Sequence, residues 1–301
     1  MSLLVTGSIG IDNVVSPYGS AENVLGGSAV YFSLAARPFV QARLVGVVGD
    51  DFPTDFHRLL ADRGIDLRGL EMRRGSQTFR WTGEYKADMN EARTVEVDLN
   101  VLAERGPKVP SEFADSAFVF LANTHPTLQR ELLAQLHSPR LVVCDTMNLW
   151  ITQERDSLVE TLRKVDGVIL NDGEVRQLTG IANLILAGEK VLEFGPRFVV
   201  VKKGESGALL LTRENVTPVP AYPTRKVSDP TGAGDSFAGG FVGYLAEQNA
   251  TDEGALRRAL ARGTVAASFT IEDFSVRRIA AVTKREIEER VKSFIGLLRL
   301  E

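Results

Sequence analysis

A chain of 301 residues with 44% hydrophobic and 25% charged side chains has the composition of a globular enzyme, which excludes a disordered or collagen-like polymer. Its 35 Lys and Arg against 39 Asp and Glu give a formal charge of −4 without long single-sign blocks, so neither nucleic acid nor an anionic membrane is an expected partner. One cysteine, Cys144, and three scattered histidines exclude an intramolecular disulfide and a zinc spacing. With no export-type start and no membrane-length apolar run, the expected location is the reducing cytoplasm.

In chain order, short β-branched apolar runs alternate with amphipathic stretches, which predicts a mostly parallel sheet covered by helices on both faces. The first strand is Leu3 to Ile9, followed by an extended piece from Asn13 to Leu25 and a helix near 28–36. A strand at Arg43 to Val48 and a helix near 53–63 come next. From Glu71 to Leu102 the rhythm breaks, because Thr78 to Tyr85 and Arg93 to Leu99 alternate polar and apolar residues as antiparallel strands do. These segments, about 13–25 and 71–102, are expected to form a small β-lid on a single domain spanning 1–301. Strands then follow at Ala117 to Ala122, Leu141 to Asp145, Gly167 to Leu170, Phe198 to Lys202 and Ala208 to Thr212. Helices are expected near 127–137, 156–164, 172–179, 234–247, 252–268 and 283–299. The last opens on a capping box, Thr283 with Glu286.

The chemistry concentrates in Asp229-Pro230-Thr231-Gly232-Ala233-Gly234-Asp235-Ser236-Phe237. A loop of small residues leading into a helix lets the amides of Gly232, Ala233 and Gly234 face one anion, with the helix dipole behind them. Asp235, in the first turn, can take a proton from a hydroxyl while those amides hold the phosphoryl group it attacks. The alternative is a capping carboxylate above a tight turn. A dinucleotide fingerprint is disfavoured, since no strand feeds the glycines.

This run resembles the C-terminal signature of the ribokinase-like, or PfkB, family of carbohydrate and nucleoside kinases. The resemblance implies a three-layer α/β/α sandwich with a β-lid, and phosphoryl transfer from Mg²⁺–ATP to a hydroxyl of a small carbohydrate. A nucleoside acceptor, or a non-catalytic sensor on the same fold, is the alternative. It further implies that Asp12 holds acceptor hydroxyls and that Gly26-Gly27 border the acceptor. Asn171 and Glu174 resemble the motif that places magnesium, indirectly through Glu174, and the nucleotide phosphates. Gly204 and Gly207 resemble the nucleotide-side turn, and Asp229 with Thr231 the position of a K⁺ site. Each has a plainer reading: Asp12 as a turn cap, Asn171 and Glu174 as a helix cap. Lys202 or Lys203 could pair with a phosphate, but a lysine at a strand end more often reads as solvated, and both stay outside the catalytic set.

Departures bear on the acceptor. Ser28-Ala29-Val30-Tyr31-Phe32 stands where ribokinases carry Lys-Gly-Ala-Asn, and Trp150 stands where sugar-acid kinases often carry arginine. Phe32, Phe79, Trp81, Tyr85 and Trp150 either build an aromatic pocket that suits a nucleoside base or belong to the core. Apolar lid edges are expected to permit a homodimer.

Overall fold

A computed structural model describes residues 1–87, 89–90 and 92–299. The chain begins β1 (Leu3–Thr6), β2 (Gly10–Ser16), β3 (Gly19–Gly26), α1 (Ser28–Ala36), β4 (Ala42–Gly49), α2 (Thr54–Asp62) and β5 (Asp66–Arg73). It continues with β6 (Phe79–Tyr85), β7 (Ala92–Asp98), β8 (Phe118–Leu121), α3 (Pro126–Leu133), β9 (Leu141–Asp145), α4 (Asn148–Gln153) and α5 (Arg155–Leu162). Then come β10 (Gly167–Asn171), α6 (Asp172–Thr179), α7 (Leu184–Leu192), β11 (Phe198–Lys202), β12 (Ala208–Thr212) and β13 (Val216–Val219). The last elements are helical: α8 (Ala233–Gln248), α9 (Glu253–Thr270), α10 (Arg277–Ala281) and α11 (Lys284–Leu298).

Nine strands make one sheet in the order β13-β12-β11-β10-β9-β8-β1-β4-β5, parallel from β11 to β5 and antiparallel across β12 and β13. Its central strands are apolar up to their carboxyl ends because both faces are covered. Val5, Phe120, Val143, Ile169 and Val200 point into the core under α1, α8, α9 and α11. Leu4, Val119, Val142, Val168 and Val199 point into the opposite core under α3, α5, α6 and α7. One residue of slip would exchange the two sets, so register is strongly held.

The second sheet, β3-β2-β6-β7, is the expected lid. Its extent differs from expectation in three ways. Asn13 to Leu25 is two strands, β2 and β3, turning at Pro17-Tyr18 and starting already at Gly10. Glu71 to Arg73 finishes β5, which pairs with β4 in the main sheet, and Asn100–Ala103 is a 3-10 turn. Of the proposed lid span, Asp88 and Glu91 lie outside the described residues. The strand β6 pairs parallel with β2 and antiparallel with β7.

The helix α1 is buried on all sides. It can be, because α8 presents Gly239 and Gly243 to it: a methyl group on Gly239 would lie 2.3 Å from the Phe32 carbonyl oxygen. Backbone contact between these helices fixes where the N-terminal end of α8 comes out, which is over the carboxyl ends of the sheet.

Candidate active site

Five parallel strands deliver side chains to one cleft at their carboxyl ends, the usual ligand position in an open α/β sheet. The turn after β1 brings Ser8, the turn after β8 brings Asn123 and His125, and β9 ends in Asp145. Across β10 and β11, Asn171 and Lys202 are register partners. The lid contributes Asp12, Phe79, Trp81, Val97 and Leu99, and α8 contributes Asp235. The cleft they enclose measures about 460 Å³, within the range of small-molecule sites.

Asp12, on β2, is 4% exposed, and its Oδ1 has no hydrogen-bond partner. A methyl group on Gly26 would sit 1.8 Å from its Oδ2, so the carboxylate lies flat on that glycine, which is why Gly26 borders the acid rather than the cleft. Burial, reinforced by the charges of Asp229 and Asp235, pushes the Asp12 carboxyl up to about 8 from an ordinary 3.8, against a backbone N–H of Gly27. Gly27 itself lines the cleft, at a φ of 103° that a side chain would oppose.

The loop of small residues leads directly into α8. Gly232 caps α8 in the left-handed region at φ 73°, with the Tyr31 ring packed beneath it. Gly232 and Gly234 line the cleft. Ala233 is a correction: its N–H donates to the Pro230 carbonyl at 3.0 Å, closing the first turn, and is therefore spent. Asp235 stands beside the two glycines, its carboxyl raised by burial and lowered again by the Lys202 charge. Asp229 anchors the loop from behind. Its Oδ1 accepts the Thr231 N–H and its Oδ2 the Ser275 N–H, each at 2.9 Å.

Asn171 and Glu174 form a full capping box: Asn171 Oδ1 accepts the Glu174 N–H and Glu174 Oε2 accepts the Asn171 N–H, both at 2.7 Å. The plainer reading is thus present, but it occupies only one Glu174 oxygen, and Glu174 also lines the cleft with its carboxyl raised by burial. Gly204 and Gly207 lie in a 3-10 turn one step beyond β11 and are not part of the cleft wall.

Two charged residues of the cleft stood outside the expected site set. Lys202, read from sequence as solvated, projects into the cleft beside Gly234; a lysine ending a buried parallel strand has the ligand end of the sheet as its surroundings. Asp145, 4% exposed, has an unpartnered Oδ1 and a carboxyl far above its ordinary value, chiefly through burial. The rule of strand carboxyl ends was the signal for both. Among the aromatics, Phe32 belongs to the core, stacked on Phe120 at 4.4 Å, whereas Phe79, Trp81 and Trp150 line the cleft. Trp150 Nε1 donates to Asn123 Oδ1 at 3.0 Å, and the His125 ring meets the Trp150 ring edge-on at 5.0 Å. His125 Nδ1 accepts the Thr127 N–H, which leaves Nε2 toward Glu154.

The sequence matches the profile of the pfkB family carbohydrate kinases over residues 7–282. The chain belongs to the pfkB family. It is therefore a kinase, an enzyme that transfers a phosphoryl group to an alcohol, and the cleft at the strand ends is its candidate active site. A cytidine kinase from Thermococcus kodakarensis is 29% identical over 250 residues, 81% of this chain and 88% of that protein. The fold is that of Methanocaldococcus jannaschii nucleoside kinase, at a TM-score of 0.78 with 20% identity, covering 97% of this chain and 99% of that one. An E. coli protein solved with ATP and Mg²⁺ matches at 0.76 and 20% identity, over 97% and 99% of the two chains. No helix among the described residues of this pfkB kinase is long and apolar enough to cross a membrane.

Proposed function

We propose that the protein transfers the γ-phosphoryl group of Mg²⁺–ATP to a primary hydroxyl of a nucleoside. The observation that carries this is the aromatic wall of Phe79, Trp81, Trp150 and His125 on the cleft. The cytidine kinase relative, matched over most of both chains, supports the same acceptor class. Sugar acceptors were the first expectation from sequence, and the aromatic wall is the reason for moving from it.

In this reading Asp12 receives the sugar hydroxyls, its two oxygens suited to a vicinal pair. Asp235 takes the proton from the attacking hydroxyl as the new O–P bond forms and the bond to the β-phosphate oxygen breaks, releasing ADP. The free amides of the α8 first turn meet the charge on the transferring group. Asn171, Glu174, Gly204 and Gly207 serve the nucleotide side. Among the described residues no three acidic, His or Cys side chains converge to hold a metal by themselves. Magnesium takes oxygen ligands, and Glu174, with one carboxylate oxygen outside the capping box, would hold it on the nucleotide side. When bound, it neutralises phosphate charge. The lid closes the cleft against water.

Two further expectations join this proposal. A K⁺ ion beside Asp229 and Thr231 is tested by exchanging K⁺ for tetramethylammonium; an unchanged rate removes it. A homodimer through the lid, on which Val15 and Val95 are exposed, is tested by sedimentation. The deciding experiment for function measures ADP release across nucleosides, pentoses, hexoses, sugar acids and inositols. Turnover on nucleosides supports the proposal, and turnover on a free sugar alone overturns it. Silence throughout, with ATP bound, favours a sensor.

A further inference from the structure

The cleft has an imbalance of charge. Asp12, Asp145, Glu174 and Asp235 line it, and Lys202 is the single lysine or arginine among its described lining residues. Its Nζ makes no hydrogen bond and no ion pair within 4 Å among the described residues, although its charge is felt by three of these acids. Its position is specific: a methyl group on Gly234 would lie 2.6 Å from Nζ, so the ammonium stands over the backbone of the α8 first turn.

The acids around it attract the ammonium, but the helix end it stands over calls for an anion. The N-terminal end of a helix carries a partial positive charge and unsatisfied N–H groups, which attract anions and repel ammonium. Here the amide of Gly234 has no acceptor earlier in the chain, since the first-turn bonds are made by Ala233 and Ser236, while the Asp235 N–H faces its own carboxylate. An anion seated between the Gly234 amide and Lys202 would satisfy both. Lysine suits such a role as a compact point charge with three donors.

We propose that Lys202 is a catalytic residue that contacts the transferring γ-phosphoryl group from beside the free amide of the α8 first turn. This rests on the kinase reading above and extends it. The strand β11 holds the lysine stem, and the ammonium bridges from its own strand end to the cradle, so donor phosphate and cradle are clamped across the cleft.

The test is calorimetric titration of the whole protein with Mg²⁺–ADP and with a non-hydrolysable Mg²⁺–ATP analogue, alongside kcat. In Lys202→Met, affinity for the analogue should fall about tenfold or more and that for ADP less than about twofold, while kcat falls on the order of 10²-fold. Gly234→Ala keeps the charge and the amide but occupies the space of Nζ, and should lose the analogue preference in part. Because that side chain can swing aside, this second variant keeps the fold if Lys202→Met does not. Equal weakening of both nucleotides, or no change in either, overturns the role of Lys202. A wild-type protein that binds neither nucleotide overturns the kinase reading itself, a distinguishable result.

Discussion

The Tyr85 hydroxyl lies 3.2 Å from Thr231 Oγ1, so a lid strand is bonded to the loop that carries the phosphoryl cradle. The Tyr85 hydroxyl is buried, and its acidity is suppressed chiefly by that burial, so it remains a neutral donor or acceptor throughout the working range. Lid position and cradle position are thereby linked. Tyr85→Phe removes the bond and keeps the ring, and a single neutral hydrogen bond is worth about 1 kcal/mol, or roughly fivefold. Turnover is expected to drop by about that factor, with ADP release in the absence of acceptor rising as the lid seals less well. A variant with unaltered turnover and unaltered background hydrolysis would uncouple the two.

Asp235→Asn should reduce kcat by about 10²–10⁴-fold, the usual loss for a general base, while nucleotide titration stays near wild type. The cradle amides survive the substitution. Near-normal turnover would take Asp235 out of its role.

Asp12 predicts a pH-dependent stability with a definite sign. Its folded value of about 8 lies above the unfolded 3.8, so between those values the folded protein holds a proton that the unfolded chain has released. Raising pH through that window therefore costs stability. Asp12→Asn removes the cost: its melting temperature should exceed wild type by a margin that grows from pH 5 to pH 8 and then levels. Each recovered kcal/mol corresponds to about 2–4 °C. Acceptor affinity should fall in the same variant. A margin that shrinks with rising pH contradicts the assignment.

Gly26→Ala reaches the same acid without touching its charge. The added methyl group cannot share space with the Asp12 carboxylate, so the acid must turn. Displacement of a positioning group by about 1 Å typically costs on the order of 10²-fold, and the loss is expected in kcat/KM for the acceptor with little change in nucleotide affinity. Equal kinetics in the two proteins would show that Asp12 is not held by this contact.

The strands whose bounds were legible, Leu141–Asp145, Phe198–Lys202 and Ala208–Thr212, are those buried on both faces, where every residue is apolar until the strand ends. Edge strand β5 was missed because Asp66-Leu67-Arg68-Gly69-Leu70 carries no continuous apolar run and was left unassigned, while its end, Glu71 to Arg73, was counted with the lid. Helix α7 was missed because its outer side is apolar: Ile185 and Leu186 are 42% and 55% exposed, which blurs the period. In the site, Asp235, Gly232 and Gly234 were singled out from local chain chemistry, and Asp12 only through the family resemblance. Lys202 and Asp145 were not, since each acquires its meaning from neighbours on other strands. Ala233 was misjudged because only coordinates reveal that its amide turns back to Pro230.

Val97 and Leu99 remain 48% and 40% exposed in the lid while facing the cleft. An open enzyme thus leaves water against an oily wall, and closure would dry it. Some of the driving force for capturing an acceptor then comes from the protein's own surface, not from the ligand. Calorimetrically this should appear as a negative heat capacity of binding larger than the acceptor's apolar area alone explains, and it should weaken on cooling.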